Sequence, residues 1–505
     1  MSENPDKVYE ELLNRVKEID LIYSSLAVLD WDQKTYMPRK GAERRAKMIS
    51  YLSGLGHEKF VDPKIGELLE TLKSDNYDKE EYSDEETNIR ELDRQYQKYK
   101  KVPNSLVREL SETTTLADQA WVEARKKSDF SEFKPWLEKV IKLKHDYAEA
   151  VGYPKEPYDA LLDDFEPGAT VETTGQVLDN LRTDLVKFVE KVLGSGKHPD
   201  TSIVEREYPV DKQELLGKLA AKTIGFDFDS GRLDVTTHPF CTGFGPGDTR
   251  ITTRFDPKHF NNAFFGILHE AGHGIYDQGL DPKHAGTPRG ESVSLGIHES
   301  QSRMWENLVG RSRPFWEYFF PIAQGIFHEA LRDVQLDDFH FAVNDVRPSF
   351  IRVEADEVTY NLHILVRFEI EHAFFKGDLK VDDIPAAWNE KYNHYLGITP
   401  ANDAEGCLQD VHWSNGLIGY FPTYTLGNLY ASQFFVKAQE EIGNLDELFR
   451  NGSFIELRDW LLKNIHSHGQ RYRAEKLVEV VTGEPLSHQP MMDYLRNKFG
   501  PLYGI

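Results

Sequence analysis

Apolar side chains recur at helical spacing through the first half of the chain. In residues 6–33 they fall every three or four positions, as on one face of an α-helix, at Leu12, Val16, Ile19 and Tyr23. Lys and Glu fill the opposite faces, where we expect solvent. The same pattern covers residues 39–73, 84–100, 105–127 and 171–193. The spacing predicts a mainly α-helical chain.

Residues 233–256 have a different composition, with many Thr and aromatic residues and a Gly-Pro-Gly turn at 245–247. This composition predicts a small antiparallel β-sheet, either a hairpin or three strands. We therefore expect an all-α fold with a small antiparallel sheet. The chain divides in order into a helical half at 1–232, the β patch at 233–256 and a second helical half at 257–505.

The helical pattern returns after residue 259 and is interrupted at 397–424. That stretch is polar and rich in Gly and aromatic residues, which indicates an ordered, irregular loop, and such loops tend to line sites. No linker-like composition separates the halves of the 505-residue chain. We expect a single large helical domain with a cleft.

The composition limits the binding partners and the cellular location that we expect for the protein. A net charge of -24 without a basic stripe argues against nucleic acid as a partner. The N-terminus is acidic and polar, and no 18-residue apolar run occurs, so we expect no membrane association and a cytoplasmic protein. Cys241 and Cys407 are too few for a disulfide framework and are expected to be reduced.

The main chemical motif is His-Glu-x-x-His at 269–273. On a helix, His269 and His273 lie one turn apart on one face and can share a metal ion. Glu270 points about 100° away from His269, where it can contact a water on the metal without being a ligand. Because such a pentapeptide arises by chance in roughly one chain in ten or twenty, its surroundings must decide.

The surroundings favour a metal site. The same helix has an apolar stripe that directs the histidines to a neighbouring face, formed by Phe264, Leu268, Ala271 and Ile275. It also contains three glycines, Gly266, Gly272 and Gly274. Each glycine costs up to about 1 kcal/mol relative to Ala. This cost is easier to explain if another helix or a substrate backbone comes close.

A catalytic zinc ion normally has three protein ligands and one open position. The next helical segment offers Glu299 as the third ligand, with Glu306 and His298 as alternatives. Two histidines and a carboxylate suit Zn²⁺, and Co²⁺ or Mn²⁺ could substitute. Asp277 is either an acceptor for an imidazole N–H or a solvated acid. The set predicts peptide hydrolysis, in which Glu270 takes a proton from the water on the metal.

Six motifs stand in order between residues 238 and 413: HPF at 238–240, DTRIT at 248–252, HEAGH at 269–273, HESQ at 298–301, IRVEAD at 351–356 and GCLQDVHW at 406–413. Together they resemble the carboxypeptidase Taq family of thermostable zinc metallocarboxypeptidases. The resemblance implies a saddle-shaped helical fold like those of neurolysin and angiotensin-converting enzyme, with a deep groove between the halves and the sheet beside the zinc. It also implies a homodimer and broad release of C-terminal residues from peptides.

The resemblance implies the same zinc ligands and general base that the residues predict, and it adds a substrate clamp. Arg352 is similar to the arginine that binds the terminal carboxylate of the substrate. An exopeptidase needs a fixed cation beyond the scissile bond, and a guanidinium can grip both carboxylate oxygens. Alternatively, Arg352 pairs with Glu354 or Asp356 on its own segment.

Two further positions are similar to catalytic groups of the wider helical peptidases. His412 and Tyr420 resemble the His and Tyr that hydrogen-bond the tetrahedral oxyanion or the substrate amide. Several tyrosines lie nearby in the sequence, Tyr424 among them. The resemblance therefore predicts a hydrogen-bonding pair, with the choice of tyrosine open.

The remaining candidates concern access to the groove. Arg250, Gln409 and Asp410 are expected to line or close one end of it, which limits access to the C-terminal end of the substrate. Arg250 has the alternative of a structural pair with Asp248. His238 is either a substrate contact or a packing residue.

Two other functions stay open at this point. An endo-acting oligopeptidase of the same fold would cut internally, and it would cleave amidated peptides as well as free acids. A catalytically silent relative would only bind peptides, and the loss of a metal ligand or of the base would mark it. Every expected group is present in the sequence.

Overall fold

A computed structural model describes residues 4–74 and 79–505 of the chain. Within these ranges the chain is mainly helical, as predicted, with one small three-stranded sheet. The strands are β1 (Gly231–Val235), β2 (Cys241–Gly243) and β3 (Thr249–Thr253). The α-helices are α1 (Pro5–Thr35), α2 (Ala42–Phe60), α3 (Pro63–Ser74), α4 (Asp84–Lys101), α5 (Asn104–Lys127), α6 (Phe130–Val151), α7 (Pro157–Phe165), α8 (Val171–Gly194), α9 (Val210–Ile224), α10 (Phe260–Gln278), α11 (Leu295–Arg303), α12 (Arg313–Ile326), α13 (His328–Leu331), α14 (Leu336–Val343), α15 (Tyr360–Lys376), α16 (Ile384–Leu396), α17 (Pro422–Ile442), α18 (Leu445–Arg450), α19 (Ile455–Asn464), α20 (Ala474–Thr482) and α21 (Gln489–Tyr503).

The apolar face predicted for α1 is largely buried. Leu12, Val16 and Ile19 lie in a core shared with residues of α2, α3 and α4, whereas Tyr23 is 44% exposed. The Asn4 side chain accepts a hydrogen bond from the backbone N–H of Asp6 and caps the helix start. Burial of one face and capping of the first turn together account for the length of α1.

The segment 39–73, predicted as one helical stretch, forms two helices. The first ends at Phe60, and Pro63 begins the second. Proline has no N–H to donate and fits the first turn of a helix, where that N–H would be unpaired anyway. The break is therefore a local consequence of Pro63.

The chain forms two compact units, each assembled from three stretches of sequence. The first unit contains Met1–Lys100, Asp200–Val343 and Phe434–Pro485. The second unit contains Lys101–Pro199, Asn344–Gln433 and Leu486–Ile505. The division of a single domain in chain order, at 1–232, 233–256 and 257–505, stays a prediction.

The small sheet belongs to the first unit and has the strand order β1-β3-β2. The β2–β3 pair is antiparallel, as predicted, and the turn at Gly245 and Gly247 joins its strands. The β1–β3 pair is parallel, so the expectation of a purely antiparallel sheet is wrong. The chain reverses twice between β1 and β3, and this double reversal returns β3 to the direction of β1.

The interruption predicted at 397–424 is an irregular segment at 397–421, between α16 and α17 in the second unit. Most of its residues from Gly406 to Phe421 are buried. Both cysteines are free of disulfides, with Cys241 half-buried and Cys407 buried. In the described ranges, every helix is too short or too polar to cross a lipid bilayer.

Candidate active site

Helix α10 carries the His-Glu-x-x-His motif. Its four predicted apolar positions are all buried: Phe264, Leu268, Ala271 and Ile275. On one side the helix packs against β3, and on another it packs against α11. The apolar stripe thus fixes the rotation of the helix, and with it the direction of the histidines.

Close helix packing explains one of the costly glycines. A Cβ atom on Gly272 would lie 2.6 Å from the backbone oxygen of Gln301 and 2.6 Å from Cα of Ser302. Only a residue without a side chain allows α11 to approach α10 this closely. The predicted close approach is confirmed here, and it brings Glu299 beside the motif.

Two histidines and one carboxylate converge on a single point. The donor atoms of His269, His273 and Glu299 lie within 4.8 Å of one another. Glu299 Oε2 lies 3.4 Å from His273 Nε2 and 3.6 Å from His269 Nε2. Two imidazole nitrogens and one carboxylate oxygen form the donor set of a catalytic zinc site with an open position. The residues therefore fit a metal ion of this type.

The electrostatics differ among the three donors. Burial alone would raise the pKa of Glu299, but His269, His273 and Arg303 outweigh it and lower the pKa to about 2. Burial lowers the pKa of His273 to about 4. At neutral pH the Glu299 carboxylate is therefore ionised and the His273 imidazole is neutral, as ligands must be. Burial opposes the charge on His269, but Glu299 and Glu306 outweigh it and raise the pKa of His269 to about 9. A metal ion would therefore displace a proton from His269.

The outer nitrogen of each histidine has a different partner. His269 Nδ1 lies 2.8 Å from Glu306 Oε2, and Arg303 donates to the same oxygen at 2.8 Å. His273 Nδ1 lies 2.6 Å from His298 Nδ1. Glu306 and His298, the alternative ligands, thus lie behind the metal-facing histidines. Such contacts fix the orientation of a ligating imidazole.

Asp277 lies one contact further from the metal donors, behind His298. Its carboxylate lies 2.9 Å from His298 Nε2, so it accepts an imidazole N–H, but from His298 rather than from a motif histidine. A short π-helical turn at Met304–Val309 directly follows α11 and contains Glu306. Such a turn changes the helical rotation, which helps to explain why sequence spacing did not separate the roles of Glu299 and Glu306.

Glu270 differs sharply from its neighbouring carboxylates. It is buried at 6% exposure, and burial is the largest cause that raises its pKa to about 7. Glu299 and Glu306 raise it further, whereas His269 and His298 lower it. A group with a pKa near neutrality is well matched to accept and return a proton.

Arg250 and His238 also lie in the first unit. Asp248 accepts two hydrogen bonds from Arg250, at 2.9 and 2.8 Å. The guanidinium lies 4.1 Å from the ring centroid of Trp31 and 4.8 Å from that of Phe244. The observed contact of Arg250 is therefore the structural pair with Asp248, the alternative considered for this residue. His238 is exposed between β1 and β2.

Arg352 belongs to the second unit and is buried. Its Nε and one terminal nitrogen lie 3.0 and 2.9 Å from Asp410 Oδ1, and its other terminal nitrogen donates to the Tyr360 hydroxyl at 3.0 Å. Asp410, and not Glu354 or Asp356, is thus the carboxylate that Arg352 contacts. The alternative in which Arg352 pairs with Glu354 or Asp356 on its own segment is therefore wrong.

A second arginine, Arg367, shares the same carboxylate. Its Nε donates to Asp410 Oδ2 at 2.7 Å, and its side chain is fully buried. The two guanidinium groups hold the pKa of Asp410 well below its usual range although burial opposes this. Two cations on one anion leave a net positive charge beside Arg352. Sequence reasoning missed Arg367, although an arginine inside the apolar run 362–370 was a signal, since buried arginines need partners.

Gln409 ties this arginine cluster together. Its side-chain oxygen accepts from the backbone N–H of Arg352 at 2.8 Å and from Arg367 at 2.7 Å. Its amide group donates to the Phe350 carbonyl at 2.9 Å. Gln409 therefore fixes the segment that carries Arg352.

His412 and Tyr420 lie in the irregular segment of the second unit. Their ring centroids are 5.3 Å apart, and His412 Nε2 is 3.3 Å from the Tyr424 hydroxyl. Burial, aided by Arg352 and Arg367, lowers the pKa of His412 to about 3. The imidazole is thus neutral at physiological pH and suited to hydrogen bonding.

The chemistry of the first unit defines a class. Two metal-facing imidazoles, an ionised carboxylate and an adjacent glutamate of pKa about 7 form the site of a metal-dependent hydrolase.

Comparison with known proteins agrees with this class. The family model described as carboxypeptidase Taq (M32) metallopeptidase matches residues 11–499. The chain is 48% identical to thermostable carboxypeptidase 1 of Thermus thermophilus, covering 99% of this chain and 100% of that protein. It is 41% identical to carboxypeptidase 1 of Bacillus subtilis, covering 98% of each. The crystal structure of the M32 carboxypeptidase from Deinococcus radiodurans matches with a TM-score of 0.96 at 38% identity, covering 99% of this chain and all of that one.

The chain therefore belongs to the carboxypeptidase Taq family, as its motifs predicted. The family is one of metallopeptidases, and the protein is a metallocarboxypeptidase.

Proposed function

We propose that the protein is a zinc-dependent carboxypeptidase that releases C-terminal residues from peptides with broad preference. The observation that carries the proposal is the convergence of His269, His273 and Glu299 within 4.8 Å. Zinc is the metal best suited to two imidazoles and one carboxylate, and Co²⁺ or Mn²⁺ could replace it. When bound, the ion would polarise the scissile carbonyl and acidify the attacking water.

The protein supplies the proton transfers. Glu270 would accept a proton from the attacking water and return it to the leaving amine. Its raised pKa supports both steps, because a group that titrates near pH 7 is a competent base and acid. Glu306, His298 and Asp277 would hold the two imidazoles in the orientation that binding requires.

Arg352 would bind the terminal carboxylate of the peptide. Among its contacts with described residues, those to Asp410 and Tyr360 use three of its five N–H donors and leave two. The net positive charge of Arg352, Arg367 and Asp410 favours an anionic ligand. Gln409 and Asp410 would act by keeping Arg352 in place.

His412 and Tyr420 would hydrogen-bond the developing oxyanion or the substrate amide. The neutral state of the His412 imidazole supports this role. Its Nδ1 is buried and has no hydrogen-bond partner among the described residues. Arg250, held by Asp248, would limit access at one end of the substrate groove, and His238 would contact the substrate.

We further propose a cytoplasmic homodimer with a groove between two halves of a single peptidase domain. The dimer and the groove rest on the family to which the chain belongs. Light scattering on the purified protein would give twice the mass of the 58.2 kDa chain if the dimer exists. A monomer across the working concentration range would reject the dimer.

Product analysis tests the proposed reaction. The purified protein is incubated with matched free-acid and C-terminally amidated peptides, with and without a chelator, and the products are weighed. We expect stepwise loss of C-terminal residues from the free acids and much slower cleavage of the amides, both abolished by the chelator and restored by added zinc. Equal cleavage of amidated peptides would indicate an internal cut and overturn the exopeptidase proposal.

A further inference from the structure

The irregular segment 397–421 lacks the repeated backbone hydrogen bonds that hold a helix or a sheet. It is 25 residues long and carries His412 and Tyr420. A loop of this length is ordered only if specific contacts replace those repeated backbone hydrogen bonds. Two of the contacts that hold its second half converge on a carboxyl group on the neighbouring helix α15.

That group is Glu371, which is fully buried. Its Oε2 accepts from the Tyr158 hydroxyl at 2.6 Å and from the Gly419 backbone N–H at 2.9 Å. Its Oε1 accepts from the Trp413 indole N–H at 2.7 Å. One carboxyl group thus binds three donors, and two of them belong to the irregular segment.

The two donors of the segment stand directly beside the proposed catalytic pair. Trp413 follows His412, and Gly419 precedes Tyr420. Glu371 therefore holds both ends of the stretch that separates His412 from Tyr420. This arrangement sets the spacing of the two side chains.

Gly419 shows how closely the segment is fitted to its surroundings. Its φ of +89° lies in the left-handed region that glycine tolerates. A Cβ there would lie 2.9 Å from the carbonyl oxygen of Leu161 in α7. Helix α7 thus packs directly against the segment, and it also carries Tyr158, the third donor to Glu371.

A carboxyl group is a costly way to fill a buried space. Burying it opposes ionisation, and an apolar side chain of similar volume would pack without that cost. Arg367 acts on Glu371 electrostatically, but its hydrogen bonds go to Asp410, Gln409, the His363 carbonyl and the Tyr392 hydroxyl. The three donors offset the cost only in the geometry that the segment adopts. Packing alone does not explain this choice of residue.

We propose that Glu371 is a positioning residue for catalysis, which acts by fixing the segment between His412 and Tyr420 through Trp413 and Gly419. The inference rests on the proposed function of His412 and Tyr420. It predicts that weakening the Glu371 contacts slows the chemical step without removing the metal site.

The first test compares Glu371→Gln with Glu369→Gln in the metal-loaded protein. The amide has nearly the same shape, but its NH₂ group faces one of the three donors, so one hydrogen bond is lost. We expect kcat for a free-acid peptide to fall about tenfold to a hundredfold, since small misplacements at a site have effects of this size. Glu369 lies on the same helix, and its contacts go to Tyr395, Lys391 and Arg182, so its variant should keep wild-type kcat. Wild-type kcat in Glu371→Gln would overturn the inference and leave the proposed function intact.

A double-mutant cycle tests whether Glu371 acts through the pair. Glu371→Gln is combined with Tyr420→Phe and, separately, with His412→Gln. If the account holds, the loss caused by Glu371→Gln shrinks to less than threefold in at least one background. If Glu371→Gln lowers kcat in both backgrounds by the same factor as in the wild-type background, Glu371 acts elsewhere and the inference is wrong. If Tyr420→Phe and His412→Gln both keep wild-type kcat, the proposed roles of the pair fail, and the inference fails with them.

Trp413→Phe keeps the test open if Glu371→Gln does not fold. This change removes one donor and preserves a ring that packs against Phe374 and Trp388. We expect a kcat loss of about threefold to tenfold, with faster amide hydrogen exchange in residues 406–421 and unchanged exchange in α10. Unchanged exchange in 406–421 together with wild-type kcat would reject the positioning role.

Discussion

The metal centre of the first unit and the arginine cluster of the second unit both bury charge, with opposite excess. Around the metal donors, the carboxyl groups of Glu270, Glu299 and Glu306 face Arg303 and three imidazoles. Negative charge dominates there once the imidazoles have lost their protons, as metal binding would require of His269. In the cluster, Arg352 and Arg367 share Asp410, so positive charge dominates. The first arrangement suits a cation and the second suits an anion. A carboxypeptidase needs both, one for the reaction and one for the free carboxylate that defines its substrates.

The two regions also differ in how they control protonation. In the metal centre, adjacent carboxyl groups have pKa values of about 2 for Glu299 and about 7 for Glu270. One is fixed as an anion and the other can exchange a proton. In the cluster, Asp410 is held ionised and His412 is held neutral. Under the proposed function, proton transfer belongs to the first unit and binding of the substrate carboxylate to the second.

Glu270→Gln should have the largest effect on turnover, and it acts on the metal centre alone. The amide cannot accept the proton, so we expect kcat to fall by about 10²- to 10⁴-fold. The three metal donors are unchanged, so metal content should stay near that of the wild type. Steady-state kinetics and elemental analysis measure the two quantities. Near-normal turnover would refute the assignment of the base.

Glu306→Gln should weaken the metal centre without touching the donors. The variant loses the anionic acceptor of His269 Nδ1, and outer contacts of this kind are worth about 10- to 100-fold in metal affinity. Chelator competition gives the metal dissociation constant. Glu329→Gln, on the exposed surface of α13, is the matched control and should bind as tightly as wild type. An unchanged dissociation constant in Glu306→Gln would remove Glu306 from the site.

Glu371 provides a smaller, pH-dependent effect. Burial raises its pKa from 4.5 to about 7, so between these values the folded state retains a proton that the unfolded chain releases. Its contribution is therefore fully present below pH 4.5 and is lost as pH rises through 7, by up to about 1.4 kcal/mol per pH unit.

Thermal unfolding of wild type and Glu371→Gln from pH 5 to pH 8 measures this effect. The variant lacks the titrating group, so its midpoint should gain on that of the wild type as pH increases. Parallel curves would show that Glu371 does not titrate in this range.

The metal centre was the more predictable region because its chemistry is local in sequence. The motif spacing identified His269 and His273, and Gly272 signalled the close helix that brings Glu299. The separate roles of Glu299, Glu306 and His298 did not follow from spacing, since they depend on side-chain reach and on the π-helical turn at Met304–Val309.

The second unit was less predictable because its contacts join distant segments. Asp410 follows Arg352 by 58 positions, and Gly419 follows Glu371 by 48. Only a resemblance pointed to Arg352. Arg367 interrupts an apolar stretch of α15, but that signal does not name its partner, and Glu371 does not stand out from the helical pattern. The parallel β1–β3 pair escaped prediction for a related reason, since alternation along a strand does not specify the direction of its neighbour.

Arg352→Gln tests most directly the claim that the arginine cluster recognises a free carboxylate. The measurement is the ratio of kcat/KM for a free-acid peptide to that for its C-terminal amide, in the wild type and in the variant. Two lost charge-assisted hydrogen bonds correspond to a drop of about 10²- to 10⁴-fold for the free acid. The account predicts this drop with little change for the amide, so the ratio collapses towards one. A ratio that stays at the wild-type value would contradict it.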